Sequence, residues 1–242
     1  MKFKTIAVSL IGFVAILTAQ QSDAQIFIPE EENNIPNTGE IIYKAESLDY
    51  KLHLGIYKYS WSANDSSYKI NTSLKAEGFA SLLVDYSLRE EISGIVKNDV
   101  INWKEYVIFQ EFAANPAKNS SERAFLKENG KVQLKNEEKP PKHQPYDIPS
   151  VILRLMNEIP VEGKSLPMSI LYINDMFPVN ISLTKIESVI VPAGKFECWL
   201  WEAKVDNKEL KIWFNLENRL PIQIVFTNSK GLKFLLSAKT FY

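Results

Sequence analysis

From Val189 to Phe226 the chain reads VIVPAGKFECWLWEAKVDNKELKIWFNLENRLPIQIVF, with apolar residues on every second position between turns. Phe196, Cys198 and Leu200 share one strand face. Leu210, Ile212, Phe214 and Leu216 share another, and Ile222, Ile224 and Phe226 follow. Side chains of a strand point alternately to the two faces of a sheet, so a period of two predicts a sheet with a buried face. Upstream, Tyr43 and Ala45 alternate, then Leu48, Tyr50, Leu52 and Leu54, then Tyr57, Tyr59 and Trp61 after Gly55. This stretch reads as a hairpin or a strongly bent strand pair with Gly55 at the bend. Tyr68, Ile70, Thr72, Leu74 and Ala76 predict a further strand. Tyr86 to Val96 and Val100 to Phe112 form a hairpin about Asn98-Asp99, and Arg123 to Leu134 form one about Asn129-Gly130. Phe79 to Val84 fits a helical turn and a buried strand start equally well.

The period changes once. Val151, Leu155 and Ile159 stand at helical spacing with Ile152 and Met156 beside them, Asp147 or Ser150 can cap, and Pro149 suits a first turn. Pro160 and Gly163 end the pattern. Strands resume at Met168 to Ile173 and Val179 to Val191, and the last alternates Leu232, Phe234, Leu236 and Ala238. Ala113 to Glu122 and Asn136 to Pro145 read as loops. The fold expected is all-β and mainly antiparallel. It is a curved meander sheet or half-open barrel of about ten to twelve strands with one short helix plugging an end or the open face.

The N-terminus divides the chain. Lys2 and Lys4 precede the apolar run Ile6 to Leu17, and Ser22-Asp23-Ala24 supplies small residues for cleavage after Ala24. This predicts a secretory signal peptide over residues 1–24. The run is too short for a membrane span, which takes roughly 20 residues, and no cysteine follows it to carry a lipid. Residues 25–40 read as a polar, flexible leader and residues 41–242 as a single β domain. The expected location is periplasmic or otherwise exported, soluble after cleavage and with no integral membrane span. A net charge of -1 argues against nucleic acid as a partner. A single cysteine, Cys198, precludes a disulfide framework, and its place on an apolar strand face makes it a small buried residue.

Several stretches together resemble an exported bacterial family known as domain of unknown function 3108. They are Tyr146-Asp147-Ile148-Pro149-Ser150 before the helix, and Val191-Pro192-Ala193-Gly194-Lys195-Phe196, close to the family's PAG-x-F turn. Ile212-Trp213-Phe214 through Asn218-Arg219-Leu220-Pro221-Ile222, and Lys230-Gly231 before a last apolar strand, complete the set. The N-terminal half departs: Ile56-Tyr57-Lys58 follows Leu54-Gly55 where the family has a second small-residue pair. The resemblance implies an envelope location and a curved β architecture, and it supplies no catalytic residue. By looser likeness the fold is similar to the lipoprotein-carrier half-barrels of the periplasm.

Candidate chemistry is sparse. His53 and His143, the two histidines, have no partner at metal-ligand spacing, so neither a metal nor a cofactor is expected. Ser150, His143 and Asp147 could formally make a triad, but no nucleophile elbow surrounds the serine, and Asp147 and Ser150 are better explained as helix caps. Glu197 and Glu202 are a possible carboxylate pair or simply solvated. With 13 Phe, 10 Tyr and 5 Trp the aromatic load is the feature left over. Trp199 and Trp201 lie opposite Cys198, and Trp213 lies opposite Ile212 and Phe214. If the Cys198 face is the core, these tryptophans line a second surface, with Arg219 near its mouth or clamping its own turn. The function expected is binding an apolar, lipid-like ligand or a lipidated partner through Trp199, Trp201, Trp213 and Arg219, with no catalytic residue. The alternative is an envelope scaffold binding a protein partner through an exposed strand edge or the Tyr57/Tyr59/Trp61 stripe. A hydrolase using the Ser150 region ranks last.

Overall fold

The first and last strands meet at the middle of the sheet. β1 (Thr38–Ser47) pairs antiparallel with β15 (Lys233–Phe241). From β1 the chain steps outward through β2 (Leu52–Ala63), β3 (Ser67–Ala76), β4 (Tyr86–Lys97) and β5 (Val100–Phe112). β6 (Ser120–Leu126), β7 (Val132–Gln133) and β8 (Glu138–Lys139) complete that flank. From β15 the other flank runs through β14 (Pro221–Thr227), β13 (Lys208–Asn215) and β12 (Gly194–Val205). It ends with β11 (Asp175–Val191), β10 (Ser165–Tyr172) and β9 (Pro145–Tyr146). All pairs are antiparallel except β9 with β10. The computed structural model describes residues 37–78, 86–98, 100–112, 115–228 and 231–242, and the described strands all belong to the unit Asn33–Tyr242.

The outermost strands, β8 and β9, are consecutive in the chain, so the sheet must curl to bring its flanks together. They do not pair, and the curl stays open. The flanks are joined by scattered links: Lys135 N–H donates to the Ile173 carbonyl at 3.2 Å, the Lys139 ammonium meets Asp175 at 3.0 Å, and Tyr146 of β9 reaches Ile101 of β5. Pro140, Pro141 and Pro145 punctuate this seam, where a missing N–H costs no ladder bond. The one α-helix among the described residues, α1 (Ile148–Met156), follows β9 immediately. Asp147 caps it by accepting the Ser150 N–H at 2.7 Å, and Pro149 occupies its first turn. Seven of its residues are buried, because the helix packs against β3, β5 and β9.

Register decides which face is inside. Trp199 lies opposite Phe214, Trp201 opposite Ile212 and Ala203 opposite Leu210. These join Ile224 and Leu236 across β14 and β15 and Ala45 and Tyr43 of β1. That shared face is the concave one. Cys198 and Leu200 lie on the other side, yet both are buried.

Several expectations shift. Among the described residues fifteen strands stand where about ten to twelve were read, because β7, β8 and β9 are two residues each and too short to show a period. β1 begins at Thr38, inside the stretch read as leader. The bend read at Gly55 lies earlier, in the β1–β2 turn, where Lys51 takes a φ of 50°. Gly55 instead sits in β2, where a Cβ would come within 1.9 Å of the Lys75 carbonyl oxygen. α1 stops at Met156 and leaves Ile159 exposed. The signal peptide and Phe79 to Val84 lie outside the described residues. The stripe proposed for a partner is not a surface: Tyr59 and Trp61 are buried and Tyr57 is packed against the core.

Candidate functional site

Two places in the fold carry polar or accessible chemistry. The first is internal, where α1 meets the concave wall of β2 to β5. Glu90 stands between Leu88 and Ile92 on the inward face of β4, opposite Thr72 on β3. Its carboxylate accepts from the Thr72 hydroxyl, from Tyr106 Oη at 2.7 Å and from Tyr57 Oη at 3.5 Å. Tyr59 Oη donates to the Pro149 carbonyl at 3.1 Å, and Tyr68 Oη lies 3.2 Å from Ser150 Oγ. Tyr146 Oη donates to the Ile101 carbonyl at 2.8 Å, fastening β9 to β5. Buried hydroxyls need such partners, since an unpaired one costs about 1–3 kcal/mol.

Burial raises the phenols of Tyr57, Tyr59 and Tyr106 well above their ordinary range, and Glu90 adds to this at Tyr57 and Tyr106. Asp147 is the exception to the pairing. Its Oδ1 takes the capping bond, while its buried Oδ2 and the buried Trp103 indole nitrogen make no well-aligned hydrogen bond, although the indole is close enough to favour the carboxylate. Desolvation pushes the Asp147 carboxyl up to about 7, against the pull of the Ser150 N–H.

The second place is the seam between the flanks. Lys139, Pro140, Lys142, Ser169, Met176, Phe177 and Pro178 line a cavity of about 250 Å³. Phe177 also stacks on Tyr172, with ring centroids 5.5 Å apart, and the Lys208 ammonium lies 4.3 Å from the Phe177 centroid. Lys139 bridges Asp175 and Glu137, so two of the nearby charges are already matched. On the concave side, the cavity lined by Ile148, Ile170, Ala203 and Leu210 is about 10 Å³, no more than one water. Helix and side chains fill the concave face there.

The predicted site residues do not converge. Trp199 and Trp201 are buried inside the curl, whereas pairing Trp213 with Leu200 turns it to the convex side, where its indole donates to Glu187 at 2.8 Å. Arg219 takes the left-handed position of the β13–β14 turn, with φ 57° and its N–H donating to the Asn215 carbonyl at 2.9 Å. Ser150 is fully buried with its hydroxyl against Tyr68, and His143 bonds through its backbone N–H to Ser169 Oγ. Glu197 and Glu202, five apart on one strand, point to opposite faces. Cys198 is buried, and burial raises its thiol to about 12. Among the described residues no group of three or more His, Cys, Asp and Glu could hold a metal ion. The Glu90 cluster was missed although it left a trace: Leu88, Glu90 and Ile92 put a carboxylate on an apolar strand face.

Residues 40–237 match the family model described as "Protein of unknown function (DUF3108)". Among solved structures, the chain is similar to a β-barrel-like protein of domain of unknown function DUF1849 from Brucella abortus. The identity is 10%, with 84% of this chain and 96% of that one covered, at a TM-score of 0.50. It is also similar to a presumed lipoprotein from Parabacteroides distasonis, at 8% identity, 86% and 96% coverage and a TM-score of 0.32. A presumed exported protein with a YmcC-like fold from Bacteroides fragilis gives 11%, 86%, 97% and 0.28. The first of these likenesses bears on fold. No curated protein matches the chain. No helix among the described residues is long and apolar enough to cross a membrane.

Proposed function

The chain belongs to the DUF3108 family, and from that premise we propose that it is an exported envelope protein that binds an apolar, lipid-like ligand or a lipidated partner. In this reading a signal peptide and leader precede a single β domain, and the ligand lies in the seam between the flanks of the curled sheet. One observation carries it: the cavity of about 250 Å³ bounded by Met176, Phe177, Pro178 and Pro140, with Lys139 and Lys142 at its margin. Apolar lining beside Lys142, with Lys139 held by Asp175 and Glu137, suits an acyl chain ending in an acidic group. Trp199 and Trp201 join the site only if a ligand parts α1 from the sheet; Trp213 and Arg219 would serve from outside the curl.

The test is titration of the purified chain with a fluorescent fatty-acid probe. Saturable binding that Met176→Asp weakens at least tenfold supports the seam; no binding by the wild-type chain sinks it. A second reading, a scaffold with no small ligand, is supported by Ile190, 79% exposed on the long β11–β12 hairpin. Recovery of the same envelope protein by the wild-type chain but not by Ile190→Asp would favour that reading.

A further inference from the structure

Beside the apolar packing of Ile148, Pro149 and Val151, three polar groups seat the N-terminal turn of α1. The Pro149 carbonyl takes Tyr59, Ser150 meets Tyr68, and Asp147 closes the turn. Only Asp147 has an oxygen left over in the buried interface, and no hydroxyl of the tyrosine wall satisfies it. We propose that α1 is a pH-sensitive plug: it seats against the tyrosine wall while the Asp147 carboxyl is neutral and loosens when that carboxyl ionises.

The surroundings favour this sign. Facing Asp147 are Tyr57 and Tyr59 of β2, Tyr68 of β3, Glu90 of β4, and Trp103 and Tyr106 of β5. Tyr146 of β9 adjoins it in the chain. None of these is a cation, and Glu90 opposes a second negative charge. The helix's own basic residue, Arg154, is held by Glu158 and acts on Tyr146. The Ser150 N–H and the Trp103 indole favour the anion, but desolvation outweighs them.

The folded carboxyl therefore titrates near 7 and the released one near the ordinary 3.8. Between those values the seated state binds a proton that the released state does not, so seating weakens as pH rises through the window. Below about pH 4 both states are protonated and the dependence vanishes. The device is independent of what the seam binds.

Hydrogen exchange of the α1 amides, normalised to intrinsic rates and to the amides of β12 and β13, tests it on the mature chain. Between pH 5.5 and 8.5 the opening equilibrium of α1 should rise about 30-fold, with the sheet amides unchanged. Asp147→Asn keeps a capping oxygen without the charge and should flatten the profile; Asp147→Ser serves if that variant does not fold. A wild-type helix whose protection does not change over this range overturns the proposal. So does a neutral variant with the same pH dependence.

Discussion

Strands β2 to β5 set hydroxyls and one carboxylate among the apolar side chains of the inside of the sheet, where β11 to β14 line it chiefly with hydrocarbon. Ile181, Leu183, Trp201, Ile212, Phe214 and Ile224 bury apolar area that needs no partner beyond close packing. Tyr59, Tyr68, Thr72, Tyr106 and Glu90 are just as buried, but each must be answered by a specific atom. The first kind of wall tolerates reshaping at constant volume. The second fixes one arrangement, because a shifted hydroxyl loses its acceptor and bears the desolvation cost. α1 buries its apolar face in the core but is capped and hydrogen-bonded on the second wall, so its seating depends on geometry and charge as well as on area.

Cutting into each wall in turn sharpens the contrast. Trp201→Ala should cost about 3–5 kcal/mol in urea unfolding, as expected for a large apolar side chain lost from a packed interior. A loss under 1 kcal/mol would mean that the hydrocarbon wall is not tightly packed. Glu90→Leu strips Thr72 and Tyr106 of an acceptor and should cost about 1–3 kcal/mol per hydroxyl left unpaired. In combination with Tyr106→Phe the loss should be less than additive; strict additivity would deny that the two act as a unit. Tyr59→Phe and Trp213→Phe each delete one hydrogen bond and should cost about 0.5–1.5 kcal/mol. Only Tyr59→Phe should also raise exchange in α1, since Trp213 bonds on the convex side.

The smallest effect expected is an acid limb. Glu187 is lowered by the Lys185 ammonium and the Trp213 indole. Glu209 is lowered chiefly by Lys233, against some desolvation. Both are only partly buried and still reached by solvent, so each contributes modestly. Their stabilisation is present above the unfolded carboxylate range and is lost as pH falls through it. Combined with the opposite slope from Asp147, this gives a stability maximum on the acid side of neutrality, falling away on both sides, readable from thermal unfolding across pH 3–8.

How much of this was legible follows from what leaves a pattern. The long strands announced themselves through alternation, and α1 through Asp147, Pro149 and the spacing of Val151 and Leu155. Which face of β12 turned inward was not legible, because Phe196-Glu197-Cys198-Trp199-Leu200-Trp201 is apolar on both sides. Only the pairing of Trp201 with Ile212 and of Leu200 with Trp213 decides it. That is why the three tryptophans, grouped by alternation within each strand, part company across the sheet. The seam was hidden for another reason: β8 and β9 are two residues long, and their approach is a property of the whole curl. Glu90 was legible as a carboxylate on an apolar face, but its acceptor role required Tyr57, Thr72 and Tyr106 to arrive from three strands.

The measurement that bears most directly on the proposed binding function is native mass spectrometry of the mature chain purified from a bacterial envelope, followed by solvent extraction. The account predicts a mass above that of the bare chain, released as an acyl-containing lipid and lost in Met176→Asp. A bare chain that also takes up no fatty-acid probe would contradict it and leave the scaffold reading in its place.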